Sequence, residues 1–257
     1  MTLRYSTGLR NFLNKGGSIA DALHNGRIEI YSGAQPATAD TAVSGTLLCT
    51  ISSSSGAITK EVLSTGTVTL TGGASGSVDT LTVNSVEIMG AAVAYNSSLT
   101  QTAADVAAQI NRFKSSPNYE ATSSGAVVTI IAMPGTGTSP NGYVVASTVT
   151  TITKTDANMA SGVAAVNGLQ FDTSTSGVMS KLSTQTWSGV NVATGTAGYF
   201  RQYGSVADAG GTATTMREIR MDGAIATSGA ELNLSPTTLT ASATTGPITW
   251  AMTVPAN

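Results

Sequence analysis

The chain has 257 residues, 41% of them hydrophobic, with 12 basic and 14 acidic residues and a net charge of -2. Disorder needs low hydrophobicity with high net charge, so this composition excludes a disordered chain and leaves room for one or two folded domains. It also excludes a nucleic-acid surface: Arg4, Arg10, Lys15 and Arg27 are scattered among apolar and small residues, where a phosphate groove needs several converging cations.

Two short helices are expected in the first 26 residues. Leu9, Phe12 and Leu13 follow helical spacing and Gly16-Gly17 stops the first helix. Ser18 with Asp21 three residues on forms a capping box, Ile19 and Leu23 form an i, i+4 apolar pair, and Asn25-Gly26 ends the second helix. The pattern then turns to β. Arg27 to Tyr31 alternates and stops at Ser32-Gly33, Ala34 to Gly45 with Pro36 reads as a loop with one helical turn, and Thr46 to Ser52 is a second strand.

From about Ser64 a different block begins. Strands are expected at Thr67–Thr71, Asp79–Val83, Val86–Met89, Tyr119–Thr122, Ala126–Met133 and Tyr143–Thr153. One helix stands among them: Thr102 is its expected N-cap with Asp105 completing the box, Ala103, Val106, Ala107, Ile110 and Phe113 form its apolar stripe, and Arg112 and Lys114 sit at its C-terminal end. Beyond Val163 the expected strands are Leu169–Phe171, Val178–Leu182, Ala197–Tyr203, Met216–Met221, Glu231–Leu234 and Ile248–Val254. In the fourth of these, charged and apolar residues mix on both faces, which reads as an antiparallel strand with a partly solvated face.

Two strands in the first 63 residues cannot close a sandwich alone. The reading is therefore an all-β chain, mainly an antiparallel β-sandwich of jelly-roll-like character. Residues 1–63 plus 164–257 form a discontinuous host with an N-terminal helical arm, and 64–163 form an inserted small α+β domain carrying one helix. No fixed-period repeat supports a solenoid or propeller.

The search for chemistry returns no catalytic, cofactor or metal residues. The single histidine, His24, reads as a helix-end residue, and no Gly-x-Ser-x-Gly elbow accompanies it. The single cysteine, Cys49, sits in a strand-like run and reads as a small buried hydrophobe. Glu218 with Asp222, and Glu29 with Glu61, are the carboxylate pairs a glycosidase could use; without aromatic platforms they read as solvated strand charges. Gly72–Gly76 and Gly135–Thr138 lack the Lys-Ser/Thr ending of a phosphate loop and read as turns. Ala126 to Met133 is too short to span a bilayer, and Met1 to Tyr5 lack the apolar core of an export signal, so synthesis in a host cytoplasm without export is expected, and no membrane partner.

The unusual quantity is the charged fraction, 10%, against roughly 25% in a typical soluble domain. A surface of Ser, Thr, Ala and Gly has few ions to desolvate, so covering it with a neighbour costs little. The reading is a protein whose surface is largely destined for contact in an assembly; a secreted or extracellular β-protein, where this composition is common, is the alternative.

Arg27-Ile28-Glu29-Ile30-Tyr31-Ser32-Gly33 with Gln35-Pro36, Gly45-Thr46-Leu47-Leu48, Gly195 to Arg201, Ile219 to Gly223 and Ser228 to Leu234 together resemble tailed-bacteriophage virion proteins of the capsid decoration or minor structural kind. The middle block, with Val83 to Ile88 before its helix, is similar to domains inserted in many phage particle proteins. The resemblance implies a non-enzymatic β-sandwich component of the virion, with no cofactor, a homo-oligomer whose partners are its own copies and other virion proteins. On that expectation the N-terminal arm and first strand would clamp the shell, with Leu9, Phe12, Leu13, Ile28, Ile30 and Tyr31 as candidate assembly contacts. A tail, head–tail connector or tube component is the alternative position, and an adhesin or glycan-binding module the alternative class.

Overall fold

The computed structural model describes residues 3–212, 215–246 and 248–253. In chain order, β1 (Arg4–Tyr5), α1 (Thr7–Asn14), α2 (Ile19–Leu23), β2 (Arg27–Ser32) and β3 (Leu47–Ser53) come first. Next are β4 (Thr65–Gly72), β5 (Ser77–Val83), β6 (Val86–Glu87), β7 (Val93–Ala94), α3 (Leu99–Arg112), β8 (Tyr119–Ser124), β9 (Val127–Ala132), β10 (Val145–Thr150) and β11 (Thr153–Ala160). The last group is β12 (Val178–Ser180), β13 (Trp187–Val190), β14 (Gly195–Tyr203), β15 (Arg220–Ala226), β16 (Leu232–Asn233), β17 (Thr238–Leu239), β18 (Thr244–Thr245) and β19 (Ala251–Thr253). The chain is all-β with mainly antiparallel sheets, and it divides into two compact units, Met1–Glu61 with Ala165–Asn257, and Val62–Ala164.

In the first unit nine strands hydrogen-bond as one sheet, in the order β1-β15-β14-β2-β3-β13-β18, with β16 beside β15 and β17 beside β14. Only the β15/β16 pair is parallel among these. A ribbon of β12 and β19 stands apart from that sheet, and Phe171, Trp187 and Trp250 meet with ring centroids 5.2 to 6.0 Å apart. The sheet's two ends, β1 and β18, are two residues long, which leaves little open edge for unwanted pairing.

The helical arm is part of this unit's core rather than an appendage. Ser18 makes the expected capping box with Asp21. Ser6 caps α1, and its hydroxyl also donates to the Glu218 carbonyl and accepts from the Arg220 N–H. Gly8 is packed so closely that a Cβ there would lie 2.4 Å from the Glu218 carbonyl oxygen. The expectation of a helical arm free to clamp a shell is therefore corrected: removing residues 1–26 would strip β1 from the sheet and open the core.

In the second unit two four-stranded sheets, β10-β5-β6 with β7, and β11-β4-β9-β8, share one apolar core with α3. Val68 and Leu70 of β4, Val78 and Leu81 of β5, Val128 and Ile130 of β9, and Val106 and Ile110 of α3 fill it. Alternation explains the outer faces: Thr65, Thr67 and Thr69 point away from the core that Val68 and Leu70 enter. The chain enters and leaves side by side, since Val62 and Val163 exchange two backbone hydrogen bonds of 3.0 and 2.8 Å.

Side chains close the edges of this unit. Asn111 of α3 donates its amide N–H to the Ala121 carbonyl and accepts the Ala121 N–H, both at 2.8 Å, so it stands in for a strand beside β8. On β10 the Val145 and Ser147 N–H groups are taken by the side chains of Asn158 and Asp156 from β11. An edge whose N–H groups are already bonded offers no template for another strand.

Several local expectations change. Ser98, not Thr102, caps α3; its hydroxyl accepts the Gln101 N–H. Thr102 lies fully buried inside the helix, donating to the Ser98 carbonyl and accepting the Asn96 N–H, while Asp105 accepts from the Asn96 and Gln101 side chains. The expected strand Tyr143–Thr153 is two strands, β10 and β11, because Thr151 adopts φ +63 and reverses the chain. Leu169 and Phe171 make isolated bridges only. The strand expected at Met216–Met221 begins at Arg220, and the turn expected in the loop at 34–45 is a single one, closed by the Thr41 N–H on the Thr38 carbonyl, with no helix built on it. Val254, the end of the last expected strand, lies outside the described residues.

Candidate functional site

The densest set of ionisable groups lies on one face of the first unit's sheet, where strand register assembles it. Arg4 of β1 is opposite Asp222 of β15, Asp222 opposite Arg201 of β14, and Arg201 opposite Glu29 of β2. Four neighbouring strands thus carry a row alternating positive, negative, positive, negative. On the same face this row is flanked on one side by Arg220, Tyr203 and Arg27 and on the other by Ala224, Tyr199 and Tyr31. The opposite face carries Ile28, Ile30, Phe200 and Met221, in keeping with the two-residue period.

The middle of this polar face is buried. Arg201, Arg220 and Asp222 are all 0% exposed. Arg201 forks onto Asp222 with Nε and Nη2 at 2.6 and 2.7 Å. Arg220 forks onto Asp208 at 2.7 and 2.6 Å. Arg27 pairs with Glu29 at 2.6 Å and lies 4.1 Å over the Tyr203 ring, and Tyr31 donates to the other Glu29 oxygen at 2.5 Å. Tyr31 stacks on Tyr199, with ring centroids 5.3 Å apart.

The loop 34–46 is tied down over this face through its own carbonyls. Arg4 donates to Pro36, Arg220 to Ala39 and Asp40, Arg201 to Thr41, and Tyr199 to Ser44. Paired guanidinium forks and a set of backbone acceptors meet the requirement that a buried charge be hydrogen-bonded as well as neutralised. Burial still raises the Asp222 carboxyl above its ordinary value against the pull of Arg201, and it raises the Tyr31 hydroxyl, with the Glu29 hydrogen bond adding to the effect.

This arrangement corrects the reading of the carboxylates. Asp222 and Glu61 are buried, not solvated: Asp222 belongs to the row above and Glu61 accepts from the Ser205 hydroxyl. Glu218 accepts from the N–H and hydroxyl of Thr215, and Glu29 is held by Arg27 and Tyr31. The pattern was present as Arg27-x-Glu29-x-Tyr31, Tyr199-x-Arg201-x-Tyr203 and Arg220-x-Asp222, three alternating runs that set polar groups on one face of three strands.

The same holds across the chain. Carboxylates throughout the chain accept hydrogen bonds from their own chain, among them Asp21, Asp40, Glu87, Asp105, Asp156 and Glu231. Of the 12 basic and 14 acidic residues only Arg10, Asp21, Lys60, Arg112 and Lys114 are exposed. Seven of these 26 residues are buried and 14 are half-buried, so few ions stand fully in solvent.

The candidate assembly contacts are corrected in the same way. Leu9, Ile28 and Ile30 are fully buried and Phe12 and Tyr31 nearly so, all within their own unit; Leu13 alone is half-buried. Their helical and alternating periods point into a core, which is the ordinary meaning of such periods. Cys49 is buried, and burial pushes its thiol up to about 11. His24 ends α2, where burial holds its imidazole below the ordinary value against Asp21 and Glu61. Among the described residues there is no cluster of three or more His, Cys, Asp or Glu placed to hold a metal, and no helix long and apolar enough to cross a membrane.

No family model matches the chain, and no curated protein or solved structure matches it.

Proposed function

We propose that this chain is a non-enzymatic structural component of a phage particle, a capsid decoration or cement protein that binds the outer shell. The observation that carries the proposal is the charge-poor exterior, with five charged residues exposed and 14 half-buried in a chain of 257. Covering Ser, Thr, Ala and Gly with a neighbouring protein strips water from weakly hydrated groups only, whereas each exposed ion adds a desolvation cost of its own. The sequence runs that resemble phage virion proteins supply the remaining support.

The test is location and mass. Purified protein is added to particles grown without it, and the mixture is imaged by cryo-electron microscopy, with light scattering of the free protein giving its oligomeric state. Ordered density for this fold on the outer shell is expected. Density in the tail would move the protein to the connector or tube position, and absence from any virion would overturn the proposal.

A further inference from the structure

The alternating row Arg4, Asp222, Arg201, Glu29 is open at its Arg4 end. The first unit's sheet stops at β1, so no described strand places a carboxylate on the far side of Arg4. The four arginines on this face are satisfied to different degrees. Arg220 donates to Asp208 through two nitrogens and to three backbone carbonyls, and Arg201 to Asp222 twice and to Thr41. Arg27 has Glu29 and the Tyr203 ring. Among the described residues Arg4 donates one hydrogen bond, to the Pro36 carbonyl, although a guanidinium has five N–H donors.

Arg4 also lines a surface cleft of about 390 Å³ with Tyr5, Arg10 and Ala37 to Asp40. Arg10 is one of the five exposed charged residues; its Nη2 donates to the Thr7 hydroxyl at 2.7 Å and lies 3.8 Å from Asp40. The carboxylate already there is committed elsewhere. The two Asp40 oxygens accept the Thr7 N–H at 2.7 Å and the Thr7 hydroxyl at 2.8 Å, at the start of α1. Two guanidinium groups with spare donors therefore share one cleft with a single engaged carboxylate.

We propose that this cleft is a docking point for a carboxylate side chain of a partner protein, which would extend the alternating row by one negative charge. Resting on the virion reading, the partner is a shell protein presenting an exposed Asp or Glu. A second copy of this chain is the poorer occupant, because its surface carboxylates are engaged at home: Asp21 in the Ser18 capping box, Asp79 by Ser77 and Thr150, and Asp105 by Asn96 and Gln101. A guanidinium fork matches a planar carboxylate and gives a geometrically specific contact on a surface otherwise short of charge.

Two measurements on the full chain separate the cleft from the virion reading. In the first, side-chain N–H resonances of Arg4 and Arg10 are followed by NMR while a blocked tetraglutamate peptide is added, with tetraglutamine and inorganic phosphate as controls. Saturable shifts at about millimolar peptide are expected, as for a few exposed charge contacts, and they should be lost in Arg10→Glu. No shift, the same shift in the variant, or an equal response to tetraglutamine or phosphate overturns the carboxylate site. In the second, binding to particles grown without the protein is compared for wild type and Arg10→Glu. Arg10 has a side chain 59% exposed, so the variant is expected to fold. Binding weaker by about fivefold or more, with a smaller salt dependence, is expected for the variant. Wild-type binding unchanged by the substitution overturns the docking role and leaves the virion reading intact. Wild-type failure to bind, with the peptide shifts present, sinks the virion reading and leaves the carboxylate site standing.

Discussion

Replacing Asp222 with Asn tests the buried charge row most directly. The side chain keeps its shape, but it loses its charge and turns an amide N–H₂ toward a guanidinium. Arg201 is then left 0% exposed without its counter-ion, and Arg4 and Arg220 lose the carboxylate that their charges also face. Removing one partner of a buried ion pair costs about 3–5 kcal/mol, a large part of the ~5–15 kcal/mol that holds a domain folded. The double replacement Arg201→Met with Asp222→Leu removes both charges. Its expected cost is at least about 2 kcal/mol smaller than that of Asp222→Asn, because neither ion is then desolvated. It does not vanish, since the Thr41 carbonyl loses the donor that holds the loop, worth about 1 kcal/mol. Urea unfolding followed by tryptophan fluorescence reports on the right unit, because Trp187 and Trp250 are the only tryptophans and both belong to it. A single variant within about 0.5 kcal/mol of wild type, the range of an ordinary surface substitution, would refute the reasoning.

Gln202 is 0% exposed and among the described residues neither its amide nitrogen nor its amide oxygen has a partner, so Gln202→Met should raise the stability of the same unit by about 1–3 kcal/mol; a loss of stability in the same urea assay would contradict this. Asn111→Ala removes both bonds that cover β8 at Ala121. A cost of about 1–3 kcal/mol is expected by calorimetry, with concentration-dependent association in light scattering as the freed edge finds partners; an unchanged midpoint and a monomer at all concentrations would dismiss the edge-capping role. His24 has a folded pKa below its ordinary 6.5, so the unfolded chain binds its proton more readily. Stability is then complete above the ordinary value and falls as the pH drops through it toward the folded pKa. Urea midpoints between about pH 7.5 and about pH 5 should show this slope in wild type and a weaker one in His24→Gln; equal slopes would assign the effect to other groups.

Elements whose information is local were legible. Ser18 and Asp21 lie three residues apart and cap α2 without help from the rest of the chain. The alternation of Arg27 to Tyr31 and the turn residues around it define a strand. Thr102 shows where local reasoning stops: both Ser98 and Thr102 can cap a helix, and the choice fell to Ser98 because the buried Thr102 hydroxyl is used by Ser98 and Asn96. The β10–β11 turn was missed for a similar reason, since Thr151-Ile152 carries no Gly, Pro or Asn to announce it.

By itself the sequence determined the all-β character, the helical arm, the middle block with its single long helix, and the scarcity of ions, because period, turn chemistry and composition act over a few residues. Only the tertiary structure decided where the ions went. Arg4, Arg201, Asp222 and Glu29 lie on four strands far apart in the chain, and register alone sets them in one row. Burial of Arg201 and Asp222 beneath the loop 34–46 then changes Asp222 from a solvated strand charge to a member of a desolvated pair, since the energy of a charge depends on its surroundings and not on its position in the sequence.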